Sequence, residues 1–147
     1  MTTHFRRVHV AAAVIIACAL IAVLWLAWQE RAPAGPPELV VQGFATALAE
    51  HRFDSAIPYL SEHMRAQTIG ETLSVRINML EQRTGRLSNV RGVPQWTRDT
   101  RAYASARADT EKSGPLTLGF GLVREPNDDW RIDELYELGW KPPGLQR

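Results

Sequence analysis

The run from Val10 to Trp28 constrains this chain more than any other stretch, because it holds no charge, proline or glycine. As a helix it would be roughly 28 Å long, close to the hydrocarbon thickness of a bilayer. A helix also satisfies its own backbone polar groups, which lipid requires. The run therefore predicts a single-pass transmembrane helix over 10–28, with residues 1–9 before it. Arg6, Arg7 and the amino terminus precede the run, whereas Arg31 follows it beside the acidic Glu30. That asymmetry predicts a cytoplasmic N-terminus in the inner (cytoplasmic) membrane, with the rest of the chain on the periplasmic, extracytoplasmic side. Trp25 and Trp28 suit the headgroup level at the far end. Two processing readings compete with an uncleaved anchor: lipidation at Cys18, after Ile15-Ile16-Ala17, and cleavage near Ala32-Pro33-Ala34. The apolar continuation beyond Cys18 and the length of the run favour the anchor.

Residues 29–37 read as a Pro/Ala linker that cannot continue a helix. What remains is long enough for one domain with its own core. The chain carries 17 Lys and Arg against 16 Asp and Glu. Setting aside Arg6, Arg7, Arg31 and Glu30 leaves 14 basic and 15 acidic residues from Glu38 onward. So balanced a domain lacks the basic stripe that nucleic-acid binding needs. The single cysteine, Cys18, excludes an intrachain disulfide and a cysteine metal site.

From Glu38 to His51 the pattern is helical, with Leu39, Val40, Phe44, Ala47 and Leu48 on one face and Pro37 suited to the first turn. Gly43 permits a close approach there. Asp54 is a candidate N-cap for a short helix that tolerates Pro58, and Ser61 opens another short turn. A further helix is predicted from Ile69 to Arg83, with Leu73, Ile77 and Leu80 inward and Gly85 as its stop. After Gly85 the period changes to two. Strands are predicted over Leu87 to Val93, over Arg101 to Thr110 with Ala102, Ala104, Ala106 and Ala108 alternating, over Leu116 to Val123, and from Trp130 onward. Helices followed by consecutive antiparallel strands predict an α+β domain over 38–138 with a tail at 139–147.

This order resembles the nuclear transport factor two-like superfamily, in particular small membrane-anchored bacterial envelope proteins. The resemblance rests on Phe44-Ala45-Thr46-Ala47-Leu48, Phe53-Asp54-Ser55-Ala56, Leu60-Ser61, the helix exit Gly85-Arg86-Leu87, and Leu116 to Val123 closing on Trp130-Arg131-Ile132. It implies helices packed in the concave face of a curved antiparallel sheet, a cone-shaped (cystatin-like) fold. It also implies dimerisation through the outer face of the sheet. The superfamily includes isomerases, dehydratases and cyclases, but no family catalytic residue maps onto a matching motif here, and fold alone carries no activity.

The candidate ligand pocket is Phe44, Tyr59, Tyr103 and Phe120. The candidate interface is Thr117, Gly119, Gly121 and Val123, the small outward residues of one strand. No catalytic group, metal site or cofactor is expected: His51 and His63 lie on different elements without a third ligand. The acidic residues Glu125, Asp128, Asp129, Asp133, Glu134 and Glu137 lack calcium-loop spacing and read as a polar turn, or as a docking patch for a basic partner. Trp130 is read as core, Trp96 as part of an irregular segment. The functional expectation is a membrane-anchored envelope protein whose domain binds another protein, as a homodimer or with an envelope partner, or a small apolar ligand. The alternative is an enzyme acting on a small hydrophobic or lipid-derived substrate in the cone.

Overall fold

The computed structural model describes residues 18–21 and 35–136. The chain divides into two compact units, Met1–Arg31 and Ala32–Arg147. In the first, residues 18–21 form an exposed helical turn. The rest of the run from Val10 to Trp28 lies outside the described residues, and so do the orientation read from it and the tail at 139–147.

Among the described residues no helix is long and apolar enough to cross a membrane. This corrects the expected fold class, which placed a single-pass transmembrane helix before the domain. The longest described helix has 15 residues and carries Glu71, Arg76, Glu81 and Arg83, so it is amphipathic and spans only roughly 22 Å. The architecture that stands is α+β: helices and a four-stranded antiparallel sheet.

Helix α1 is Pro37–Ala49, α2 is Phe53–Ala56, a 3-10 turn covers Ile57–Tyr59, α3 is Glu62–Gln67 and α4 is Gly70–Thr84. The first begins with Pro37, whose missing N–H would be unpaired there anyway, and Glu38 meets its positive end. Its buried face includes Val40, Val41, Phe44, Ala45 and Leu48, while Leu39, expected inside, is exposed. Its C-terminus is closed by backbone hydrogen bonds. His51 takes a left-handed φ of 57° and donates its N–H to the Leu48 carbonyl, and Arg52 N–H reaches the Ala47 carbonyl at 2.8 Å. That is the paired backbone closure of a Schellman motif. Asp54 is not an N-cap: Arg52 occupies that position, with no side-chain cap bond. Asp54 instead lies against Gly70, where a Cβ would come within 2.8 Å of its Oδ1. There the carboxylate faces the positive end of α4. Ser61 does cap α3, accepting from Met64 N–H at 3.1 Å.

Strands β1 (Leu87–Arg98), β2 (Arg101–Thr110), β3 (Leu116–Arg124) and β4 (Trp130–Tyr136) pair in sequence order, each antiparallel to the next. The alternating alanines of β2 are almost wholly buried under the helices. Beside them on β3 and β4, Phe120, Leu122 and Ile132 face the same way. The first strand runs through Pro94 and Trp96, which sequence reading left irregular. An edge strand tolerates proline because its outer N–H needs no partner, and a register shift between Pro94 and Trp96 absorbs the distortion. At the other edge Leu60 pairs with Ile132, and Ser61 N–H donates to the Ile132 carbonyl at 2.8 Å. The Ser61 hydroxyl also donates to Asp133 at 2.6 Å, in the segment where β4 shifts register against β3. That edge is thereby partly covered.

Candidate functional site

The side chains that face the helices decide where space is left. Over β1 and β2, α1 lies directly on small residues. A Cβ on Gly92 would run into the Glu38 carbonyl oxygen, and Gly92 N–H donates to Gln42 Oε1 at 3.1 Å. At Leu118 and Phe120 of β3 and Leu135 of β4 the helix opposite is α4, whose close approaches are to α1 and α2 rather than to the strands, while α1 and α3 approach β4 closely. Between α4 and those strands a pocket of about 310 Å³ remains. Phe44 and Leu48 of α1 wall one side, and Leu73, Ile77 and Leu80 line it from α4. The sheet supplies Leu118 and Phe120 from β3 and Leu135 and Tyr136 from β4. The Phe44 and Phe120 rings meet edge to face, 5.8 Å between centroids, and fix the inner wall.

Arg76 and Arg83 stand at the mouth, both exposed, and neither has an ion pair or hydrogen bond among the described residues. A second, more polar hollow of about 360 Å³ adjoins the first. It shares Leu73, Arg76, Leu135 and Tyr136 with the apolar pocket and adds Gln67, Thr68, Thr72 and Glu134. Glu134 lies 3.9 Å from Arg101. Among the described residues the lining of the apolar pocket includes no carboxylate and no imidazole.

Of the four residues expected to form a pocket, Phe44 and Phe120 come together and the two tyrosines go elsewhere. Tyr59 lies against α1 at Gly43, where a Cβ would sit 2.6 Å from its hydroxyl oxygen. Gly43 thus does permit a close approach. Tyr103 alternates with the buried alanines of β2 and lies on the opposite face of the sheet, over Gly119. Its ring is 5.7 Å from that of Tyr136, and burial raises its phenol above the ordinary value. The interface candidates are placed accordingly. Thr117 is exposed and Val123 half-buried. Gly119 lies beneath Tyr103, and Gly121 beneath Glu134 and Tyr136. The outer surface of β3 is therefore a floor for neighbouring side chains, not a bare flat strip.

The remaining candidates separate. His51 Nε2 is 3.1 Å from Glu81, whereas His63 meets Gln67 at 3.4 Å. Among the described residues no three His, Cys, Asp or Glu side chains group as metal ligands. Around His51 there is a wide polar hollow that includes Asp54 and Ser74. Two of its polar groups are engaged: the Ser74 hydroxyl donates to the Glu71 carbonyl at 2.8 Å, and His51 faces Glu81. The acidic cluster is largely paired as well. Asp128 binds Arg124 at 2.8 Å, Asp129 binds Arg131 at 3.0 Å, and Asp133 takes the Ser61 proton donor. Trp130 is buried, and Arg124 lies over its ring, 5.7 Å from the centroid. Trp96 is half-exposed on β1, paired in register with Tyr103.

No family model matches the chain, and no curated protein matches it.

Proposed function

We propose that the domain is a binding module for a small apolar ligand, taken up between α4 and strands β3 and β4. The observation that carries this reading is the lining: Leu, Ile and Phe side chains on three sides and, among the described residues, no acid or imidazole. A volume of about 310 Å³ is at the lower end of what small-ligand sites occupy. The helix-first order and four-strand meander support a nuclear transport factor two-like cone, in which such a pocket would be the concave interior. An isomerase- or dehydratase-like reading would need a carboxylate or histidine facing that interior.

The test is a titration of the full chain with octanol, followed by NMR of its methyl groups. Octanol should bind saturably, and Leu118→Trp, which places an indole in the pocket, should abolish the saturable shifts. Unsaturable wild-type shifts, or a Leu118→Trp variant that binds as well as wild type, would contradict the reading. Association of two domains through the outer sheet face is a second proposal, supported by Trp96, which is 40% exposed beside Tyr103. Sedimentation of wild type against Trp96→Ser tests it: a concentration-dependent dimer lost in the variant is expected, and a wild-type monomer at all concentrations would sink it.

A further inference from the structure

We infer that the ligand class is an amphipathic anion, with an alkyl or aryl body in the apolar compartment and a single carboxylate-like head held by Arg76. This rests on the binding reading above and names the chemistry of what that pocket takes. An arginine on a solvated helix face is ordinarily just hydrated, and its position would mean nothing. Arg76 differs in its place: it lines both the apolar pocket and the polar hollow beside it, so it stands where the two compartments meet.

The electrostatics of the mouth point the same way. Arg83 is seven residues further along α4, two turns or roughly 10 Å, on the same side of the helix. The two guanidinium groups therefore bracket the opening. Neither is ion-paired among the described residues, and no described carboxylate lines the apolar pocket. The Glu134 carboxylate of the adjoining hollow lies 3.9 Å from Arg101, and the Glu81 carboxylate of α4 is paired with His51. An apolar cavity with two arginines at its rim, against the single carboxylate of Glu134 in the adjoining hollow, favours ligands that are apolar at one end and negative at the other. It penalises cations of the same shape. The guanidinium fork matches a carboxylate with two parallel hydrogen bonds, which a lysine ammonium would not reproduce. Beyond Arg76, the Thr68 and Thr72 hydroxyls and the Gln67 amide line space in which the head group remains hydrated or hydrogen-bonded.

The experiment compares octanoate, octanol and octylammonium on the full chain, with the wild type and Arg76→Gln, Arg83→Gln and Leu118→Trp variants. Arg76 and Arg83 are exposed, so their substitution leaves the core alone. Octanoate should bind wild type at least about tenfold tighter than octanol, an increment in keeping with one charge-assisted contact. Octylammonium should bind more weakly than either. Arg76→Gln should remove the octanoate advantage and leave octanol affinity as it was, with a smaller loss for Arg83→Gln. Leu118→Trp should abolish binding of all three. Equal affinity for octanoate and octanol in wild type would overturn the anion assignment while the apolar-pocket reading stands. So would an octanoate affinity indifferent to Arg76→Gln. Failure of every probe to bind saturably, or binding that survives Leu118→Trp, would overturn the pocket itself and this inference with it.

Discussion

The two flanks of the same sheet face are covered differently. Over β1 and β2 the covering helix meets alanines and Gly92, so backbone comes down on backbone and little space is left. At Leu118 and Phe120 of β3 and Leu135 of β4 the side chains are larger, yet the helix opposite them, α4, is held by α1 and α2 and stands off. Bigger side chains thus accompany more empty space. Small residues close a helix–sheet contact because they let the backbones approach. Large ones prop it open unless their shapes interlock, and interiors gain stability only where they are close-packed. One flank is close-packed, and the other keeps a hollow of about 310 Å³.

The largest expected effect tests whether the gap on the second flank is local. Trp130, on β4, is 7% exposed. Trp130→Ala should therefore cost about 3–5 kcal/mol, as for a large core side chain. A loss below about 1 kcal/mol in urea melts would mean that β4 is loosely covered along its whole length. Next comes the closed flank. Gly92→Ala drives a methyl group into the Glu38 carbonyl, and backbone cannot swing aside, so a loss of about 3 kcal/mol is expected. A paired substitution then sets the flanks against each other. Ala104→Leu adds bulk beneath α1 where there is no exposure at all, and should cost about 2 kcal/mol. Leu118→Phe adds bulk facing the pocket, and should change stability by less than about 0.5 kcal/mol. Similar costs for the two in thermal or denaturant unfolding would erase the distinction.

The smallest effect lies on the other face of the sheet. Burial raises the Tyr103 phenol, so the unfolded chain loses this proton at a lower pH than the folded one. The contribution is fully present below the ordinary tyrosine value of about 10 and is lost as pH rises past it. Tyr103→Phe should leave stability at neutral pH nearly unchanged and flatten part of the alkaline decline. An unaltered alkaline profile would show that the ring is hydrated when folded.

Much of the architecture was legible in the sequence, and the limits have physical causes. The alternating alanines from Arg101 to Thr110 and the Leu-Leu-Phe-Leu set of the next strand marked β2 and β3 nearly to the residue. Leu73, Ile77, Leu80 and the stop at Gly85 marked α4. Pro94 was misleading, since a proline signals a break only where its missing N–H would have had a partner. The same alternation that identified β2 also puts Tyr103 opposite its alanines, so its absence from the pocket follows from period two alone. Tyr59 was not readable, because its seat against Gly43 depends on how α1 and the 3-10 turn meet. Of the residues around the hollow, two were readable. Phe44 and Phe120 are large apolar residues on inward faces, whereas Arg76 and Arg83 acquire meaning only once α4 stands away from the sheet. Local propensity and period carry no information about that gap. The membrane-spanning helix expected from the run ending at Trp28 has no counterpart among the described residues.

The contrast between the flanks is tested most directly by mapping where an apolar probe enters. Methyl resonances of the full chain, followed through an octanol titration, should shift together and saturably at Leu48, Leu73, Ile77, Leu80 and Leu118. Val40, Leu60, Leu87 and Leu122, buried away from the gap, should hardly move. Shifts of equal size at the second set, or shifts confined to neither, would contradict a closed flank and an open one on the same sheet.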